Sequence, residues 1–186
     1  MITVTLIDNT KITYNTFDEI VDCDRIIKLN CSNNNLTSLP DLIGNLNNLK
    51  ELHCYENQLT CLPESIGNLV NLVYLNCSCN QLTYLPESIY YLTNLKGLYC
   101  EYNKLTLLPE SIGNLVNLIN LYCHGSQIKE LPTSIINLKN IEYITDDGSI
   151  LTPQQERFFE WFESGKSYPF EEHVDTMLVK CAYFGV

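Results

Sequence analysis

The sequence predicts an α/β solenoid, a stack of coils that each hold one short strand and one short helical turn. Three observations predict it. Pro40, Pro63, Pro86, Pro109 and Pro132 recur at intervals of 23 residues, and Cys31, Cys54, Cys77, Cys100 and Cys123 do the same. Within each period an alternating stretch such as Glu51-Leu52-His53-Cys54-Tyr55 precedes a Pro-led stretch such as Leu62-Pro63-Glu64-Ser65-Ile66-Gly67. A fixed period of this length marks supersecondary units that cannot bury their apolar faces alone and so must stack. Stacks of this kind present one long shaped surface and seldom a catalytic cleft, which points to a binding module.

The repeating unit reads L-x-x-L-x-C-x-x-N-x-L-x-x-L-P-x-x-I-G-N-L-x-N, and its best copy runs from Leu49 to Asn71. Alternation around Leu52 and Cys54 predicts a half-buried strand. Pro63, read as the first position of the helical turn, presets φ, and Glu64 beside it suits the positive start of that turn. Gly67 is expected to let the backbone leave the turn. Asn34, Asn57, Asn80 and Asn103 form a column where the chain bends, and their amides can satisfy backbone groups from one coil to the next. The other reading of that column is a polar recognition stripe.

The chain has nine cysteines, but five occupy one inward-pointing repeat position, where a thiol serves as a small core hydrophobe. In-register neighbours on parallel strands lie ~4.8 Å apart, wider than the ~3.8 Å Cβ separation that a disulfide prefers. A reduced structural ladder is therefore expected, in preference to a redox or metal role. A formal charge of −11 repels phosphate backbones and argues against nucleic acid or an anionic membrane as partner. The first residues carry no basic lead and only a short apolar run before Asp8, and no stretch approaches the roughly 20 apolar residues of a membrane helix. A cytoplasmic protein is the expectation.

These residues match a family. The spacing L-x-x-L-x-C-x-x-N-x-L is similar to that of leucine-rich repeats, with Cys in place of the third Leu. The continuation L-P-E-S-I-G-N-L, at residues 62–69 and 108–115, resembles the 23-residue class of Ras-suppressor-like and Scribble-like intracellular proteins. The composition, rich in Asn, Ile and Tyr, is similar to leucine-rich repeat proteins of amoebae and their giant viruses. The resemblance covers about residues 25–151. It implies a curved parallel sheet on the inner face, short helical turns and loops outside, and no catalytic residues, cofactor or metal.

Five full repeats begin near Arg25, Asn48, Asn71, Asn94 and Asn117, and a degraded sixth begins at Asn140, giving a repeat region of 25–151. Ser126 and Ser149 replace the column Asn, Asp146 falls where Cys should point inward, and Pro153 arrives two residues early. Such decay suits a solenoid end that faces water. Asp146-Asp147 could alternatively be a cation ligand. Residues 1–24 are expected to form an N-terminal cap, a hairpin around Asp8-Asn9-Thr10 and then a short helix at about 17–22. Residues 152–186 are expected to form a helical C-terminal cap, with a Pro153 start and capping-box Gln155. Phe158, Phe159, Trp161 and Phe162 would cover the last coil. Val174, Met177, Leu178 and Cys181 make one stripe that either folds back on the core or docks another chain. The terminal Phe184-x-Val186 also resembles a ligand for carboxylate-capture domains.

Function is expected in the residues between the repeated ones. By the family's frame, three columns look outward from the inner curve. They are Lys28, Glu51, Tyr74, Gly97, Asn120 and Tyr143; then Asn30, His53, Asn76, Tyr99, Tyr122 and Thr145; then Ser32, Tyr55, Ser78, Glu101, His124 and Asp147, with Tyr102 at the margin. Six of twelve tyrosines (Tyr55, Tyr74, Tyr99, Tyr102, Tyr122 and Tyr143) fall on this face. Exposed Tyr gives contact area at low entropy cost, which favours a protein-binding patch, although strand propensity also enriches Tyr. Gly97 is expected to leave a dip for a partner's side chain.

Catalysis is not expected. His53 and His124 stand three coils apart, at least ~14 Å, too far to share a metal. Cys77-x-Cys79 has one residue too few for a redox pair, and no activating group is evident for Cys181. Tyr90-Tyr91 replaces the Gly-Asn of three other repeats, and with Tyr84 and Leu107 suggests a second, apolar patch on the outer side, or simple repeat drift. The leading expectation is a protein partner held on the Tyr-rich face, as by an adaptor or an inhibitor of a host factor. The alternative is self-association, a homodimer through the C-terminal segment or the Tyr84–Tyr91 patch.

Overall fold

The computed structural model describes residues 1–138, 140–141 and 143–145, without the side chains of Tyr143 and Thr145. The expected C-terminal cap, its aromatic cluster, the Val174 stripe, the Phe184-x-Val186 terminus and the Asp146-Asp147 pair all lie outside the described residues. Eight strands form one sheet in the order β2-β1-β3-β4-β5-β6-β7-β8. They are β1 (Ile2–Leu6), β2 (Lys11–Tyr14), β3 (Ile26–Asn30), β4 (Glu51–His53), β5 (Tyr74–Asn76), β6 (Gly97–Tyr99), β7 (Asn120–Tyr122) and β8 (Tyr143–Thr145). From β3 onward the strands are parallel, and Leu29, Leu52, Leu75, Leu98, Leu121 and Ile144 stand in one register row. The register offset equals the sequence period, so each repeat position becomes a physical column.

At the N-terminal edge β1 pairs antiparallel with both β2 and β3, burying Ile2, Val4 and Leu6 against the first coil. The hairpin turn is held by Asp8, which accepts the Thr10 N–H at 2.9 Å and pairs with Arg25 at 2.7 Å. In place of the short helix expected at about 17–22, two single 3₁₀ turns follow, Phe17–Glu19 and Cys23–Arg25.

The coils close through 3₁₀ turns at Asp41–Asn45, Glu64–Asn68, Glu87–Tyr91, Glu110–Asn114 and Thr133–Asn137. Two local expectations change here and one is extended. Each Pro precedes its turn in extended backbone (Pro63 at φ −68°, ψ 148°), so it occupies the cap and not the first helical position. The acids stand in the first turn as expected, and they also have a second use. They serve the next coil, since Glu110 accepts N–H bonds from Thr133 at 2.9 Å and Ser134 at 3.0 Å. Gly67 lies inside its turn, and a Cβ there would meet the Ser88 carbonyl oxygen and Cβ at 2.8 Å. The glycine is set by the approach of the neighbouring coil. Tyr90 holds the same place in the next coil, and there the turns Glu87–Tyr91 and Glu110–Asn114 pack less closely than the other adjacent pairs.

Two asparagine ladders cross the coils, the inner one from Asn34 to Asn103 and the outer one from Asn48 to Asn140. In the inner one, Asn57 Nδ2 donates to the carbonyls of Cys31 and Cys54, both at 3.0 Å, while its Oδ1 accepts from the Asn34 and Leu36 N–H groups at 3.0 Å. Asn80 and Asn103 repeat this geometry, and all three side chains are buried. At the first coil Asn34 bonds instead to Met1 and to the Ser32 carbonyl. This is the structural role expected for the column. The outer ladder was not anticipated. Asn48, Asn71, Asn94, Asn117 and Asn140 each donate to a carbonyl 24 residues earlier, at 2.6–2.8 Å.

One continuous apolar core fills the coils. The five ladder cysteines are fully buried within it as free thiols. Cys54 and Cys100 point Sγ at the carbonyls of Asn76 and Tyr122, at 3.4 and 3.2 Å. Burial pushes the Cys31 and Cys77 thiols up to about 12. Thiolate chemistry at the ladder is thereby suppressed.

Candidate interaction face

Because each parallel strand sends its central Leu into the core, the residues on either side of it project from the opposite face of the sheet. At the N-terminal end this face is charged but internally compensated. Lys28 Nζ lies 2.7 Å and His53 Nε2 3.1 Å from the same oxygen, Glu51 Oε2. The hydrogen bond from Lys28 holds the Glu51 carboxyl below the usual range. Tyr55 is half-buried on the same coil.

The middle of the face is aromatic. Tyr99 and Tyr122 stack with ring centroids 5.1 Å apart and planes 9° from parallel. The dip expected at Gly97 is absent, because the rings of Tyr74 and Tyr99 fill it. A Cβ on Gly97 would lie 2.9 Å from Tyr74 Cδ1 and 2.8 Å from Tyr99 Cε2. Gly97 thus lets two flanking rings approach over its backbone, and Tyr74, Tyr99 and Tyr122 lie in one oblique band. Burial, then the neighbouring Tyr122 and Tyr74, push the Tyr99 phenol up. Asn76 turns to local use, its Oδ1 accepting from the Ser78 N–H at 3.1 Å and hydroxyl at 2.7 Å.

Beyond the band stand Glu101, Tyr102 and His124. Tyr102 meets His124 edge-on, with ring centroids 5.0 Å apart. Glu101 is half-buried, and its Oε2 is closed to solvent without a hydrogen-bond partner among the described residues. Burial pushes its carboxyl up. Of the six tyrosines expected on this face, the structure brings five there, and the side chain of Tyr143 lies outside the described residues.

Sequence reasoning missed a column along the rim of the face. Asn33, Glu56, Cys79, Tyr102 and Gly125 all have left-handed backbone, with φ of 54°, 53°, 52°, 54° and 68°. In each of the first four, the N–H thereby reaches the next coil's carbonyl, at 3.1, 3.1, 3.0 and 2.8 Å. Asn and Gly tolerate this conformation, whereas other L-residues in it are strained. The only traces in the sequence are Asn33 and Gly125, 92 residues apart in one column. At Gly125 the constraint is double, since a Cβ would also lie 2.4 Å from Tyr102 Cδ1. Cys79→Asn is expected to raise stability by about 1 kcal/mol through relief of left-handed strain. Urea unfolding checks this, and a loss of stability would show that the Cys79 side chain contributes packing the strain argument omits.

The expected outer patch divides. Tyr84 and Leu107 are half-exposed and occupy one column before the Leu-Pro step. Tyr90 and Tyr91 sit at the other end of the turn, with ring centroids 3.8 Å apart, and Tyr91 lies back over Gly67. The structure therefore shows two small sites separated by the turn Glu87–Tyr91. Among the described residues no group of three His, Cys, Asp or Glu side chains could hold a metal ion, and no helix is long and apolar enough to cross a membrane.

Residues 47–91 match the leucine-rich repeat family in its two-copy form, and residues 25–46 and 94–115 match it as single repeats. The fold is similar to that of a leucine-rich repeat protein from Leptospira interrogans, with 38% identity and a TM-score of 0.65, over 69% of this chain and 33% of that one. It is also similar to a plant peptide hormone receptor, RGFR1, in complex with RGF2, with 31% identity and a TM-score of 0.55, over 61% of this chain and 19% of that one. The chain thus spans about a third and about a fifth of the lengths of these two structures. A comparison with curated proteins found no match. Repeat matches, strand register and both asparagine ladders share one period, and the chain belongs to the leucine-rich repeat proteins.

Proposed function

We propose that this protein is a non-catalytic binding module that holds a protein partner against the oblique tyrosine band. The observation that carries the reading is that Tyr74 and the Tyr99–Tyr122 stack both close over Gly97 on the open face of the sheet. Amphipathic rings locked by one another lose little freedom on binding, which is the economy that interfaces exploit. The fold supports this, since leucine-rich repeats commonly serve protein interaction, and a similar structure is a hormone receptor in complex with RGF2. An adaptor, or an inhibitor of a cellular protein, fits such a face. The buried free thiols suit a reducing compartment, so we assign the protein to the cytoplasm.

Replacing Tyr74, Tyr99 and Tyr122 together with Ala is expected to remove the proteins that the wild-type chain captures from a cell lysate. The far-ultraviolet spectrum and the urea midpoint check that the variant is folded. An unchanged captured set on a folded variant rejects the band as the binding surface. A second reading, self-association, is favoured by the exposed Tyr84, Tyr91 and Leu107. Light scattering at high micromolar concentration decides it, and a monomer there eliminates it.

A further inference from the structure

At the far end of the interaction face stands a half-buried carboxylate, Glu101, whose nearby charged group is His124 and which no Lys or Arg meets among the described residues. The three columns of the face contain a single lysine, Lys28, and it is tied to Glu51 at the opposite end. Glu101 Oε2 is closed to solvent and has no hydrogen-bond donor among the described residues. The charge of a carboxylate is shared by its two oxygens, so a cation meeting the exposed part of the side chain also relieves the sealed part. Walls are already in place on two sides. One is the Tyr99–Tyr122 stack, and the other is the Tyr102–His124 edge contact.

We propose that this corner takes an arginine side chain from a basic segment of the protein partner, with Glu101 as its counter-ion and the tyrosine rings as its walls. The proposal rests on reading the face as a protein-binding surface. A planar guanidinium can lie along aromatic carbon while its fork of N–H donors reaches a carboxylate, which an ammonium does less well. The formal charge of −11 on the chain adds a long-range attraction for a basic segment.

The test is selection of a random 12-residue peptide library on the full chain. A peptide recovered on the wild-type chain is then measured against Glu101→Gln and against Tyr99→Ala/Tyr122→Ala. Selected peptides are expected to share an arginine. Replacing that arginine by citrulline, or Glu101 by Gln, should each weaken binding at least tenfold, and the two changes together should weaken it little further. E101Q keeps the side-chain shape and removes a half-buried charge, so it should fold, and its urea midpoint verifies this. Peptides with no shared arginine, an unaffected E101Q, or additive losses overturn the arginine assignment and leave the face reading intact. Peptides indifferent to the tyrosine pair overturn the face reading as well. Failure to select any peptide overturns the proposal, while lysate capture still tests the face.

Discussion

Asn80→Ala is expected to destabilise the chain by about 4 kcal/mol, because each buried backbone group stripped of its partner costs roughly 1–3 kcal/mol. Asn80 Nδ2 serves three carbonyls, those of Cys54 at 3.0 Å, Cys77 at 3.1 Å and Ser78 at 3.0 Å, and its Oδ1 accepts from the Leu59 N–H at 3.0 Å. Two coils are tied through one side chain, so the loss falls on the seam between them as well as on the local bend. Solenoid stability is a sum of coil and seam contributions. The urea transition of Asn80→Ala should therefore broaden as well as move to lower concentration. Asn80→Asp should be at least as damaging, since it keeps the acceptor but loses both donors and buries a charge. A shift of less than about 1 kcal/mol for Asn80→Ala would mean that water replaces the amide at little cost.

Gly67→Ala is expected to cost about 2 kcal/mol, within the range for overpacking a tight contact. The added Cβ would sit 2.8 Å from the Ser88 carbonyl oxygen and from Ser88 Cβ, and 3.1 Å from Tyr91 Cδ2. Two of those atoms belong to backbone or lie next to it, so the coils themselves must part. The φ of Gly67 is not left-handed, so the penalty is one of space and not of conformation. The smaller entropy of the unfolded Ala chain offsets the cost by about 0.5 kcal/mol. Urea unfolding again provides the measurement. A neutral or stabilising result would show that the outer turns slide apart freely and that the glycine column has another origin.

The fold was legible from spacing because register and period are the same number. Once strands pair with that offset, every residue of L-x-x-L-x-C-x-x-N acquires a place, and the inner asparagine ladder follows from hydrogen-bonding arithmetic. What stayed hidden depended on distances between coils, which a single repeat does not encode. Gly67 reads as a turn exit until Ser88 is seen against it, and an acid such as Glu110 reads as serving only its own turn until Thr133 and Ser134 are seen to use it. The rim column was hidden for another reason. Its shared property is a backbone angle, and Glu56, Cys79 and Tyr102 give no chemical sign of it. On the open face of the sheet, the column frame found the tyrosines but not their close approach over Gly97. Gly97 looked like a gap when its neighbours were treated as positions instead of rings with reach. Glu101 lay in the expected column, but only three-dimensional packing revealed that one of its oxygens is sealed without a donor among the described residues.

The loosened pair of outer turns has a consequence for curvature. The seam between Glu87–Tyr91 and Glu110–Asn114 lies directly behind the junction of β5 and β6, and it is there that Tyr74 and Tyr99 close over Gly97 on the opposite surface. The strands on the front are pinned at one hydrogen-bonded spacing, so a wedge at the back can only tilt one coil against the next. The tyrosine in the glycine place thus marks the one seam where the rear is looser, and a tilt there leans side chains above Gly97 toward each other on the opposite surface.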